Sequence, residues 1–402
     1  MPISNIYNIL TLRDFRLFCG HNAFHVLGEA ATFIAQGWLV LSLSGDSAFW
    51  VGVASGIRGL GHISCSLVGG VLADRRNRRV VILILALFRA GTFSVLAVFI
   101  MNDKVQLWHV LVIVFIQGGT DGMLSPSFNG LIYDTVGPKR LMNGVAYILG
   151  AFHISWAIGS VLTGHLVNVN GIGSAYALAA IFCLLSIIPL IKMKVSNTTE
   201  AKKEPVFQNL VRGFKYVAKH RFLRVLLLLS VLVETFGFSY LVMLPVIAKT
   251  ILLVGPKGLG YLSSANGIGS IIGTVVIATL GDFKHKWKLL AIGTLCGGIS
   301  IFLIACSSWY VLSLILAGII GFFLVVYDAT INTLFQTLSE DEMRGRVLGL
   351  YGMTWGFTPV GGFVVGSVAS TAGVPFAVAL GGIIILAYSL GIIARVDRDR
   401  IS

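Results

Sequence analysis

The stretch LVGGVLADRRNRRVVILIL, residues 67–85, crowds Arg75, Arg76, Arg78 and Arg79 into five positions between two apolar runs. Only 12% of the 402 residues are Asp, Glu, Lys or Arg, about half the roughly 25% of an ordinary soluble chain. Outward from this stretch the apolar residues fall in long continuous blocks. Blocks of about 20 apolar residues suit helices that cross a bilayer. Continuous rather than alternating apolarity selects helices over a β-barrel. The blocks predict an all-α membrane protein with twelve spans, near 15–42, 48–73, 79–101, 107–130, 143–167, 173–192, 223–249, 258–281, 287–306, 309–335, 345–370 and 373–394. The first block is too long for a cleavable signal peptide, and Glu29 interrupts it.

The net charge of +13 raises the question of nucleic acid. The positions of the charges answer it. With both termini cytoplasmic, 25 of the 30 Lys and Arg lie on the inner side, and Lys104, Lys249 and Lys257 on the outer side. Arg58 and Arg89 fall inside spans. This asymmetry is the positive-inside pattern of a plasma-membrane protein. No soluble basic domain is present to bind nucleic acid. The five cysteines are scattered through the spans without metal-ligand spacing and read as small packing residues.

The chain also repeats itself. ATLGDFKHKWKLL at 278–290 aligns with VLADRRNRRVVIL at 71–83, matching Asp282 to Asp74. RFLRV at 221–225 echoes RDFRL at 13–17. The expected organisation is a six-span half at 1–192, a linker at 193–220 and a second six-span half at 221–402. Parallel repeats of this kind build transporters around a central pathway. In the linker, PVFQNLVRGFKYVAKH reads as an amphipathic helix. Phe207, Leu210, Val211, Phe214 and Val217 share one face, with Arg212, Lys215 and Lys219 opposite. Such a helix suits the bilayer interface or a cap over the bundle.

GGVLADRRNRR resembles the loop motif of the major facilitator superfamily, here Gly70, Asp74, Arg75, Arg78 and Arg79. The start LRDFRLFCGHNAFHVLGEAATFIAQGWLV and RGRVLGLYG at 344–352 resemble its drug-efflux branch, which includes macrolide, multidrug and enterobactin exporters. The resemblance implies a monomer that moves a small molecule by alternating access. It also implies a cytoplasmic gate of Gly70, Asp74, Arg75, Arg78, Arg79 and Asp282, with Asp74 pairing to Arg78 or another basic group while the protein faces outward. Superfamily antiporters often carry a Gly-Pro-rich span 5; here that pattern stands in span 11, as Gly356, Pro359, Gly361 and Gly362.

Ionisable groups inside spans cost roughly 2.5–3.5 kcal/mol each and usually face a cavity or a partner. Glu29 in span 1, Asp121 in span 4 and Glu234 in span 7 are the candidates for handling protons or substrate. Glu29 and Glu234 occupy equivalent helices and are expected to approach the central cavity near mid-membrane. Arg58 is always charged and needs a partner, for which Glu29 and Asp121 are the candidates. Arg89 is expected to snorkel towards the inner end, and Asp328 to make an inter-helix pairing. Trp38, Trp156, Phe236, Tyr240, Tyr327 and Trp355 lie in spans that line the cavity in the resembled superfamily, and are candidate walls for an amphipathic substrate.

The chain lacks a phosphate-loop motif, H-E-x-x-H and G-x-S-x-G, and its short loops leave no room for a soluble catalytic domain. No enzyme activity and no cofactor are expected. The reading is a secondary exporter of amphipathic compounds driven by proton antiport. A facilitator or proton-coupled importer of a polar nutrient is the alternative, and a non-transporting receptor the third.

Overall fold

A computed structural model describes residues 9–194, 206–280, 283 and 285–399. The first six long helices are α1 (Arg13–Ser44), α2 (Ala48–Arg75), α3 (Arg78–Met101), α4 (Leu107–Val136), α5 (Leu141–Asn170) and α6 (Ile172–Lys192). A short helix, α7 (Val206–Lys219), precedes α8 (Arg221–Ile251), α9 (Gly255–Leu280), α10 (Lys286–Cys306) and α11 (Tyr310–Leu338). The chain ends with α12 (Asp341–Thr354), α13 (Phe357–Ala372) and α14 (Val374–Asp399).

Among the described residues, eleven helices are long and apolar enough to cross a membrane. The remaining crossing is shared by α12 and α13, which corrects the expectation of one unbroken span at 345–370. The break falls at Trp355–Gly356. Pro359 has no N–H to donate, and its ring would collide with the carbonyl of Trp355 one turn earlier.

Each half is held by a close helix crossing made of glycines, and the two crossings are equivalent under the sequence repeat. In the first, α4 meets α2 so closely that a Cβ on Gly118 would lie 1.9 Å from the Arg58 carbonyl oxygen. In the second, α9 meets α11, and a Cβ on Gly269 would lie 1.8 Å from the Gly318 carbonyl oxygen. Small residues let backbones approach where no hydrophobic effect drives association. Gly118→Val is therefore expected to destabilise the first half by about 3 kcal/mol, the upper end for overpacking, because backbone rather than a flexible side chain must give way. A thermal shift in detergent measures this; a wild-type melting profile would refute it.

The two halves touch over one end of the molecule. Gly52 meets Gly362 and Gly366, and Gly59 meets Pro359, joining α2 to α13. Gly164 meets Pro256 and Gly260, joining α5 to α9. Trp156 and Ser160 reach Ser263 at 3.1 and 3.0 Å, and His165 reaches Tyr261 at 2.9 Å. All these contacts lie between mid-membrane and the end remote from Gly70–Arg79, the motif end. Gly52, Gly56, Gly59, Ile63, Gly70 and Asp74 fall on one face of α2 by helical phase. The first three of these are covered by α13, whereas Ile63 and Asp74 are exposed and Gly70 has open space above it. On α12, Gly345, Gly349 and Gly352 also face open space. Among the described residues the molecule is thus closed remote from the motif and parted at the motif end.

In the linker, α7 docks on α12. Gly213 packs against Arg346, Val217 is buried, and the Tyr216 hydroxyl accepts from the Glu340 N–H at 3.3 Å. Val211 and Phe214 stay exposed, as do Arg212, Lys215 and Lys219. The helix therefore caps the bundle along one edge and keeps an apolar edge free. The Phe207 and Leu210 side chains lie outside the described residues, as does the whole of Asp282.

Candidate functional site

The ionisable residues inside the spans sort into two unlike clusters. In the first half, four side chains from four helices close a ring. Arg58 of α2 donates through Nη2 to Glu29 Oε2 of α1 at 2.9 Å and to Asp121 Oδ2 of α4 at 2.8 Å. Arg89 of α3 donates to Asp121 Oδ1 at 2.7 Å and to Glu29 Oε1. The ring is neutral, with two guanidinium and two carboxylate groups, and it ties α1, α2, α3 and α4 together. Arg89 is 3% exposed and also lies over the Phe93 ring. Its expected snorkelling is thus corrected. Eleven residues separate it from the start of α3, about 16 Å at 1.5 Å per residue, too deep for the side chain to reach water when two carboxylates stand beside it.

In the second half, Glu234 of α8 is 3% exposed. It accepts a hydrogen bond from the Thr358 hydroxyl of α13 at 2.6 Å. Asp328 of α11 accepts one from the Tyr351 hydroxyl of α12. Among the described residues neither carboxyl has an ion pair. Glu234 sits in a π-helical turn, Val233–Gly237, the kind of local helix widening often found at functional sites. Glu29, its counterpart in the first half, sits in unbroken α-helix. Gly361 of α13 backs onto the Thr235 carbonyl, which holds Thr358 over the turn.

Glu29 and Glu234, expected to approach the central cavity, take different partners. Each is turned into its own half, because a desolvated carboxylate takes the nearest donors. The aromatic candidates also separate. Trp156 lies at the junction of the halves, against Phe33 and Phe152 with centroids 5.2 and 5.9 Å away. Trp38 lies at the closed end, where Lys249 stands 5.5 Å above its ring. Tyr240 is buried against Asn266, and Phe236 packs on Gly381 of α14, so both serve packing in this state. Tyr327 is fully buried beside the acidic pair, and Trp355 is exposed at the helix break.

At the motif, Arg78 binds Asp134 at 2.9 Å and the Gly130 carbonyl at 3.2 Å, and Arg79 binds the Ile191 carbonyl at 3.2 Å. These contacts stay within the first half. Asp74 and Arg75 are exposed, and Asp74 has no ion pair among the described residues. At the closed end Lys249 pairs with Asp46 at 2.5 Å across the halves. That pair is partly exposed and worth about 0–1 kcal/mol. Lys249→Ala is expected to shift the population towards opening at that end by no more than about fivefold. Accessibility of a cysteine introduced near Trp38 measures the shift; a larger or reversed change would rule this out.

Two six-helix bundles related by repeat, joined at one end and parted at the other, are the architecture of a major facilitator transporter. The chain belongs to the family described as transmembrane secretion effector (MFS_3), whose pattern matches residues 7–398. The enterobactin exporter EntS of Escherichia coli O81 (strain ED1a) is 24% identical over 309 residues, covering 76% of this chain and 73% of that one. The same exporter of Shigella boydii serotype 18 (strain CDC 3083-94 / BS512) matches to the same extent. A POT family transporter solved with a thioalcohol-conjugated peptide superposes with a TM-score of 0.75, at 14% identity and 96% coverage of both chains. The nucleoside transporter NupG gives a TM-score of 0.76 at 10% identity, covering 95% of this chain and 98% of its own. A bacterial homolog of the human lysosomal transporter Spinster, inward-facing and unoccupied, gives 0.71 at 10% identity, covering 98% and 96%. The protein is a multi-pass secondary transporter of small molecules.

Proposed function

We propose that this transporter exports small amphipathic compounds by proton antiport, with Glu234 as the coupling carboxyl. The observation that carries the proposal is the contrast between the clusters. The first-half ring is neutralised by its own arginines, whereas Glu234 is buried with only a hydroxyl donor among the described residues. A lone buried carboxylate takes up a proton or a cation to escape its desolvation cost, which is what a carrier must do once per cycle. Glu29, Arg58 and Asp121 then act through the ring, keeping α1–α4 a rigid body. The description of the family as transmembrane secretion effectors and the likeness to enterobactin exporters support the outward direction.

On the positive-inside pattern the motif end is cytoplasmic, as are both termini, and the state described is inward-facing. The exposed face of α2 at Ile63, Gly70 and Asp74 is then the surface that closes on α12 when the molecule turns outward. Arg75, Arg78, Arg79 and Asp282 belong to the same gate. The protein acts as a monomer in the plasma membrane.

A second reading is proton-coupled import of a polar nutrient. It is favoured by the nucleoside and peptide transporters among the superposing structures. One experiment separates the two: accumulation of a panel of amphipathic dyes, antibiotics, enterobactin, nucleosides and dipeptides in energised cells lacking their own pumps, with and without a protonophore. Export predicts lower accumulation of at least one amphipathic compound, reversed by the protonophore. Raised accumulation of a nucleoside or dipeptide, abolished by the protonophore, would instead establish import.

A further inference from the structure

We propose that α7 is a binding surface for anionic phospholipid and anchors α12 to the cytoplasmic leaflet. This rests on the placement of the motif end in the cytoplasm given above. At about 100° per residue, α7 presents three sectors. Gly213 and Val217 face the bundle: a Cβ on Gly213 would stand 3.2 Å from the Arg346 Cβ and 3.3 Å from the Leu350 Cδ1, and Val217 is buried. Val211, Phe214 and Ala218 form an open apolar sector, with Phe214 60% exposed. Arg212, Lys215 and Lys219 form the third sector, and all three are exposed. From Val206 to Val233 the chain has no Asp or Glu. Among the described residues none of these three cations makes an ion pair. Of the acids that open α12, Asp341 is taken by Arg344 at 2.6 Å, and Glu340 meets α7 only through its backbone N–H. A helix with one face on protein, one apolar edge and one basic edge fits the corner between a bundle and a negatively charged leaflet.

Neighbouring helices set α7 at headgroup level. Phe222 of α8, 41% exposed, packs against Trp287 of α10 with ring centroids 5.9 Å apart. Both rings stand in the first turn of their helices, at the motif end. Trp rings gather where hydrocarbon gives way to headgroups. Lys219 comes three residues before Phe222, so at most about 11 Å of chain separates α7 from that level. The chain then runs into α8, whose exposed Phe222 and Leu228 are the apolar surface a spanning helix turns to lipid. The residues that precede α7, VSNTTEAKKEP at 195–205, offer little apolar surface to cover Val211 and Phe214 instead. The anchor bears on the gate because α12, on which α7 docks, carries the open Gly345, Gly349 and Gly352.

The test is amide hydrogen exchange of the full-length protein, one copy per lipid nanodisc. Discs of phosphatidylcholine alone are compared with discs of phosphatidylcholine and phosphatidylglycerol in equal parts. Each cation near an anionic surface strengthens binding roughly fivefold, so α7 amides should exchange at least about tenfold more slowly with phosphatidylglycerol. High salt should erase most of that difference. Replacing Arg212, Lys215 and Lys219 together by Gln keeps good helix formers and leaves the docked face untouched. That variant should exchange alike in both discs, and Phe214→Gln should lose part of the protection. Equal exchange of the wild type in both discs would overturn the proposal, as would a triple variant that keeps the difference. Soluble glycerophosphoglycerol, added to phosphatidylcholine discs, should protect nothing. Protection by it would show an anion site without a membrane surface, and protection equal in every disc would show a cap held by the chain alone. The discs expose both faces and need no substrate or proton gradient. A failure here therefore leaves the export reading and the orientation standing, and a failure of either leaves this result intact.

Discussion

Glu234→Gln is expected to reduce the substrate gradient sustained in proteoliposomes to unity. One proton moving through 100 mV supplies about 2.3 kcal/mol, which can hold a concentration ratio of about 50-fold. Glutamine keeps an oxygen to accept from the Thr358 hydroxyl, whose bond to Glu234 is 2.6 Å long, so the helix contact survives while the exchangeable proton is lost. The variant should therefore still catalyse exchange of labelled for unlabelled substrate, because rocking of the halves needs no net proton movement. Imposed-potential flux and counterflow, measured on the same preparation, separate the two effects. Wild-type gradient-driven flux would refute the role of Glu234. Loss of both activities, together with a lowered melting temperature, would make the residue structural.

Arg89→Ala is expected to be the most destabilising single change at the first-half ring. It removes one of two guanidinium groups and leaves Glu29 and Asp121 sharing Arg58, which is 27% exposed. Breaking a buried pair by removing one partner costs about 3–5 kcal/mol. The loss should appear as a lower melting temperature in detergent and a poorer yield of folded protein. Pairing Arg89→Ala with Glu29→Gln restores neutrality and should recover a large part of the stability. That recovery distinguishes charge balance from the lost packing of Arg89 against Phe93. A double variant no more stable than Arg89→Ala alone would show that packing dominates.

The chain itself dictated the crossings, their repeat and the sign of each end. Apolar blocks of bilayer length, one motif and its weaker echo are enough for that, because a bilayer leaves the backbone few choices. The break at Trp355–Gly356 was also within reach, since Pro359 announces it. So was the contrast between the halves. Away from the span ends, the first half holds Glu29, Asp121, Arg58 and Arg89, which sum to zero, whereas the second holds Glu234 and Asp328 with no Lys or Arg. Counting helix rise from Arg78 would have placed Arg89 at mid-membrane and made that balance visible. Only the tertiary structure decided which groups meet. Arg58 takes both acids rather than one, and the Thr358 and Tyr351 hydroxyls come to the second-half carboxyls from helices more than a hundred and about twenty positions away in the chain. It also decided that the halves are joined away from the motif, leaving Gly70 and Asp74 uncovered. The reason is physical: hydropathy fixes how deep a residue lies, but its partners depend on helix rotation and crossing. Those are set by which glycines let two backbones come together.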